Sequence, residues 1–348
     1  MRGYRKEELL RLRLLLGLVW AILLTTVWLL SGCTELSGTS IDRNDGKQDA
    51  EKYPVTFSHL SLDEGEQTRA VQVVESGRLR LVVYRAGVEP TGEPVANRVY
   101  MVADGLLTVA DDESELELAA GSYRFYALMP ADRMVPSAGI ITDFKHGDDP
   151  LASLTEVMVD ESGAYVTLEP LTHKASRIGF IVSKADDATY GELSLPSCLT
   201  LFSQTEAPVS FRLGKGGGNL DIPVAGGLDT LCFKNFSGTG DIGFSQDRLV
   251  LPRTMSDFNL SLETMIDTGD GKGLQACTVK GRVENRLFEP GRYYHFAIRV
   301  KDLREGGDIM LMVTDWNSLG WEDNMGGNGV SIVAGKWTGI VWNDEMGS

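Results

Sequence analysis

Four cysteines and four histidines are the side chains best suited to ligate a metal or attack an electrophile in this 348-residue sequence. Cys33, Cys198, Cys232 and Cys277 include no CxxC pair, and His59, His146, His173 and His295 are scattered, so no zinc spacing emerges. Gly243-Phe-Ser-Gln-Asp247 is the nearest approach to a nucleophile elbow, but it lacks the second glycine that lets that turn tighten. Gly214-Lys-Gly-Gly-Gly218 lacks the Lys-Ser/Thr ending of a phosphate loop and reads as a flexible hairpin loop. Asp267-Thr-Gly-Asp-Gly271 misses the EF-hand spacing and its closing Glu, so it reads as a solvated turn, and Asp111-Asp-Glu-Ser-Glu115 reads as an exposed charge run. Carboxylates are plentiful, but no spacing pairs two of them for acid–base work. The expectation is a protein with no catalytic residue, no metal and no cofactor, which is not an enzyme.

Cys33 carries a different chemistry. Residues 1–13 hold Arg2, Arg5, Lys6, Arg11 and Arg13, and a nearly unbroken apolar run of 17 residues follows from Leu14 to Leu30. A charged start followed by such a run is a secretory signal. The run ends at Ser31-Gly32-Cys33, which has the form of a lipobox, where a bacterial signal peptidase cuts before the cysteine and the thiol is acylated. A single spanning helix is the alternative, although a span needs about 20 residues. Lipidation of Cys33 leaves three cysteines, so at most one disulfide forms among Cys198, Cys232 and Cys277, and reduced, buried thiols are equally open.

Lys+Arg number 33 and Asp+Glu 49, a net charge of −16; removing residues 1–33 takes it to −19. A chain this acidic is not drawn to nucleic-acid phosphates or to anionic lipid, and suits a partner that is not itself acidic. From Thr34 to about Lys52 the sequence is polar and short of large apolar groups, so it reads as a tether over 34–52.

The elements beyond the tether are strands. Apolar and polar residues alternate at Val55–His59, Leu79–Tyr84, Arg98–Val102, Ser122–Ala127, Glu156–Val159 and Ala164–Leu168. The pattern resumes at Arg177–Val182, Leu199–Phe202, Val209–Leu213, Leu231–Phe233, Phe258–Leu262, Tyr293–Val300 and Ile309–Val313. The 39 glycines against 12 prolines supply many turns, and no long amphipathic helix interrupts. Many short strands without helix alternation predict antiparallel sandwiches, and the length suits two domains. Ala119-Ala-Gly-Ser-Tyr-Arg-Phe-Tyr126 echoes Glu289-Pro-Gly-Arg-Tyr-Tyr-His-Phe296, each a tight turn feeding a strand.

Several stretches together resemble the fimbrillin family, the subunits of the type V pili of gut and oral anaerobes. They are the lipobox at Cys33, the Val55-Thr-Phe57 strand with Thr68-Arg-Ala70 behind it, and Leu168 to Val182 with His173-Lys-Ala-Ser-Arg-Ile178. The last is Val313-Thr-Asp-Trp-Asn317 followed by Gly320-Trp-Glu-Asp-Asn-Met-Gly-Gly327. The resemblance implies an all-β protein of two transthyretin-like antiparallel β-sandwich domains in tandem, here 53–172 and 173–348. It also implies export as a lipoprotein to the outer membrane and cell surface, assembly with other pilin subunits into an adhesive pilus, and activation by an arginine-specific secreted protease.

The cut would fall between Arg69 and Ala70, in the polar stretch after Asp63, and would detach the strand carrying Val55 and Phe57. A donated strand would fill the vacated groove, and such head-to-tail contacts grow a filament. The donor candidate is 328–348, with Val330, Ile332, Trp337, Ile340 and Trp342 behind the Gly326-Gly-Asn-Gly329 hinge. That these residues simply finish the second sandwich stays open. Arg43 is a second candidate cut site, but cleavage there frees only tether. The competing readings are an uncleaved lipid-anchored accessory subunit, or a monomer binding glycan or host protein through Trp316 and Trp321.

Overall fold

The computed structural model describes residues 51–63, 72–110, 113–224, 228–239, 242–255, 257–284, 286–302, 306–315 and 332–342. The first part of the chain runs β1 (Lys52–Phe57), β2 (Ser61–Leu62), β3 (Gln72–Val73), β4 (Ser76–Arg85), β5 (Ala96–Ala103), β6 (Leu106–Val109), β7 (Glu117–Ala119), β8 (Gly121–Met129), β9 (Ile140–Phe144), β10 (Leu151–Val159), β11 (Ala164–Val166) and β12 (Thr172–His173). It continues with β13 (Ser176–Lys184), β14 (Cys198–Thr205), β15 (Val209–Arg212), β16 (Asn219–Asp221), β17 (Leu228–Phe233), β18 (Ser237–Thr239), β19 (Ile242–Phe244), β20 (Arg248–Val250), β21 (Phe258–Asp267), β22 (Leu274–Val283), β23 (Arg292–Asp302), β24 (Gly306–Asp315) and β25 (Ile332–Trp342). Side-chain alternation explains most of them. Along β21, Phe258, Leu260, Leu262 and Ile266 are buried, while Asn259, Glu263 and Met265 face out. The fold class is all-β, and the ladders between described strands are antiparallel except β1 beside β11 and β13 beside β23.

Two cores each lie between two sheets. In the first, the sheet β12-β10-β8-β4-β5-β6 faces β11-β1-β7 across Leu79, Leu81, Val83, Tyr123, Phe125, Leu118 and Val166. In the second, β17-β14-β21-β22 faces β24-β23-β13-β19 across Ile178, Phe180, Leu199, Leu260, Val279 and Phe296. A third core joins the two halves of the chain. Strand β9 pairs with β15, and β15 with β16, so one small sheet is built from both halves. It packs Ile141, Phe144, Phe211 and Leu220 onto Val82, Tyr84, Tyr126 and Leu128 of the large sheet's outer face. This is why β4 reads as the unbroken run Leu81-Val-Val-Tyr84: both its faces are buried.

The Gly214–Gly218 loop closes the β15–β16 hairpin, as expected, and is packed into this junction instead of standing free. Gly217, at φ +89°, lies so close to β10 that an added Cβ would stand 2.5 Å from the Ser153 nitrogen. Lys174 Nζ donates to Gly216 O at 2.9 Å, and burial pulls its pKa down to about 8. His146, beyond β9, is pinned by both nitrogens: Leu251 N–H donates to Nδ1 at 3.1 Å, and Nε2 donates to Thr205 O at 2.8 Å. That arrangement requires the neutral ring. Burial lowers the His146 pKa; Asp229, with Oδ2 3.9 Å from Nε2, opposes the shift, and Arg248 adds to it. A histidine with a depressed folded pKa stabilises fully above its unfolded value of about 6.5, and that stability is lost as pH falls through the folded pKa. The melting temperature should therefore fall as the pH drops below about 6.5 more steeply than in His146→Gln, whose amide keeps a donor and an acceptor. Equal slopes in the two proteins would contradict the neutral latch.

Cys198 and Cys232 form a disulfide across β14 and β17, and Cys277 is free and buried in the second core. The echo between the two turn–strand corners is real but offset. Tyr123 turns into the first core and donates to Ala119 O at 2.8 Å, whereas in the second corner Tyr294, not Tyr293, turns inward and accepts from Glu289 N–H at 2.7 Å.

Candidate strand-exchange site

The first described strand sits in a seat built by the rest of the first sandwich. Residues 52–54 of β1 pair antiparallel with β7, and residues 55–57 pair parallel with β11, so the strand changes neighbour at Pro54 and Val55. Its period of two sends Tyr53, Val55 and Phe57 into the core and leaves Lys52, Pro54 and Thr56 outside. Val55 is 5% exposed. Phe57 meets the edges of Tyr100 and Phe125, with ring centroids 5.4 Å and 6.2 Å away. Burial pushes the Tyr100 phenol up to about 12, and its hydroxyl has no hydrogen-bond partner among the described residues.

The chain after β1 stays attached. Backbone N–H groups of Val55, Ser58, Leu60 and Asp63 donate to Leu116, Val166, Gly105 and Leu171 at 2.7–2.9 Å, and Leu171 N–H donates back to Ser61 O at 2.9 Å. Leu60 is wholly buried. Taking residues 51–63 away would orphan these carbonyls and amides and open pockets at Val55, Phe57 and Leu60. An empty seat of this kind binds an extended strand.

At the other end of the chain, β25 also changes neighbour in mid-course. Residues 332–336 pair with β24 and residues 337–342 with β22, so no residue of it belongs to both ladders. The strand links the two sheets of the second sandwich, and its glycines Gly335 and Gly339 flank the switch.

A profile of fimbrillin-like proteins matches residues 97–325, about two thirds of the sequence. The chain belongs to the fimbrillin-like family. Solved structures carry the same fold. A candidate cell adhesion protein of Bacteroides ovatus superposes with a TM-score of 0.52 at 14% identity, over 78% of this chain and 100% of that one. Another from Bacteroides uniformis gives 0.50 at 16% identity, over 76% and 98%. No curated protein matches in sequence.

Of the site residues expected in this fimbrillin-like chain, Val55 and Phe57 lie together in the β1 seat, and Ile332, Trp337, Ile340 and Trp342 lie along β25. Cys33, Arg69, Ala70, Val330, Trp316 and Trp321 lie outside the described residues. Sequence reasoning missed Tyr53 and Leu60. Tyr53 continues the period of two and could have been found; Leu60 comes after the irregular Ser58-His59, where no period remains. Ser245, His173 and His295 are held in local contacts. Ser245 Oγ accepts from Phe180 N–H at 2.9 Å, and His173 Nδ1 meets Asp149 at 2.9 Å. Arg177 and Asp247, 2.6 Å apart, pack beside Tyr293 and His295, whose pKa burial lowers to about 4. Among the described residues no group of three His, Cys, Asp or Glu side chains could hold a metal ion.

Proposed function

We propose that this fimbrillin-like chain is a subunit of an adhesive cell-surface pilus, exported as an outer-membrane lipoprotein through Cys33. An arginine-specific secreted protease cuts after Arg69, the segment carrying β1 leaves, and the C-terminal strand of a second copy takes its seat. The two sandwiches, 53–172 and 173–348, stay together through the β9–β15 junction during that exchange.

The observation that carries this reading is the attachment of β1. The strand fills a hydrophobic seat, yet it continues into the rest of its own chain through the 64–71 segment containing Arg69, so a single cut converts it from an intramolecular strand into a dissociable peptide. An intramolecular strand benefits from a high effective concentration that a free peptide lacks. The test is incubation of the chain from Thr34 onward with a trypsin-like protease, followed by N-terminal sequencing and sizing. A new N-terminus at Ala70 with ladders or filaments is expected. Resistance at Arg69, or a cut that leaves a monomer, would replace the pilin reading by a lipid-anchored accessory or binding protein.

A further inference from the structure

We infer that the incoming strand enters the β1 seat in one register and one direction: parallel to β11, with Ile340 of a second copy in place of Val55 and Trp342 in place of Phe57. This rests on the exchange reading above and names its partner segment residue by residue.

The seat asks for a medium aliphatic side chain and, two residues later, a large aromatic one. Within Ile332–Trp342 the aromatic residues are Trp337 and Trp342. Gly335 and Gly339 flank Trp337 at two residues, so Ile340 and Trp342 form the sole pair that meets the demand. Placing Trp337 in either aromatic position would put glycine where Val55 sits and leave a cavity in the core. Direction follows from the third position. Entering along β1, Thr338 takes the half-buried edge place of Tyr53; entering the other way, Thr338 would face the ring-lined pocket of Phe57 and underfill it.

Three further features fit this register and no feature of β1 itself accounts for them. Tyr100 buries a hydroxyl that has no partner among the described residues, beside the Phe57 ring; phenylalanine offers it nothing, whereas an indole carries an N–H donor. Tyr165 stands beside Thr56 on the outer face with 75% of its surface exposed, and Val341 would lie next to it in place of that threonine. Pro54 lacks an N–H, whereas Gly339 in its place would have one to donate. Beyond the strand, Leu60 comes three residues after Phe57 and Met346 four after Trp342, so a flexible apolar side chain is at hand for the last pocket.

The register is testable by cysteine pairing, because outward neighbours in adjacent strands lie within disulfide reach. Chains from Thr34 onward carrying Tyr165→Cys are mixed with chains carrying one added cysteine, at Thr338, Gly339, Ile340, Val341 or Trp342, Cys277 being replaced by Ala in both. Both are cut with protease, oxidised, and the linked peptides identified by mass spectrometry. Val341→Cys is expected to give the dominant Tyr165→Cys crosslink, at least about tenfold over any other position, as befits a single ladder register. Trp342→Phe is expected to slow assembly, and in a Tyr100→Phe background Trp342→Phe is expected to assemble at the same rate as Tyr100→Phe alone. A dominant crosslink at Gly339 or Thr338, or equal yields along the strand, overturns the register while leaving strand exchange standing. Ladders that fail to form even in the cut parent protein overturn both.

Discussion

Arg69→Ala is expected to leave the processed chain joined across residues 64–71 and monomeric under protease conditions that turn the parent protein into ladders. The expected effect is all-or-none, because β1 competes with any donor at the effective concentration of its own chain, in the millimolar range for a short connection. Arg43 supplies the internal control. A cut there removes only residues upstream of β1, so Arg43→Ala should assemble like the parent. Gel mobility after protease treatment separates the two variants, and an Arg69→Ala chain that still forms ladders would mean that β1 never has to leave.

Phe57→Ala separates the intact subunit from the polymer. In the intact chain it removes a half-buried ring packed against Tyr100 and Phe125, a loss of about 2 kcal/mol after allowing for its partial exposure. Denaturant unfolding of the uncut protein should report that loss as a lowered midpoint with an unchanged slope. In the polymer the same substitution should be silent, since the segment bearing it is gone. Weakening the resident strand should also speed exchange after cutting. If the variant polymer is destabilised as much as the variant monomer, Phe57 is still in its seat and exchange has not taken place.

How far these features were legible in the sequence depends on how local their cause is. Strands β4, β8 and β13 announce themselves because their apolar residues alternate or run unbroken, and Val55 with Phe57 marked β1 for the same reason. Strand β22 was passed over: its inward positions include Cys277 and Gly281, which dilute the apolar alternation between Thr278, Lys280 and Arg282. Within the donor candidate 328–348 the structure describes one strand, Ile332–Trp342, in which Gly335 lies beside a change of neighbour.

What no local pattern could show is pairing between distant segments. The β9–β15 ladder joins Ile141 to Phe211, and neither strand's composition names the other. The same holds for the Cys198–Cys232 bond, where three cysteines left several pairings open, and for the Gly214–Gly218 loop, whose packing on Ser153 of β10 comes from elsewhere in the chain. The off-by-one echo at Tyr123 and Tyr294 teaches a related point. A shift of one residue in a strand moves every side chain to the opposite face, so likeness of residue types across two corners does not fix which tyrosine turns into the core.

The central claim is that residues 51–63 leave the subunit and an equivalent strand from a second copy replaces them. Mass spectrometry of polymer purified after protease treatment tests it most directly, by asking whether the peptide ending at Arg69 remains bound. The account predicts polymer that lacks this peptide, with the peptide recovered free in solution. Polymer carrying it one-to-one with the 70–348 fragment would contradict strand exchange and leave β1 as a permanent strand of the first sandwich.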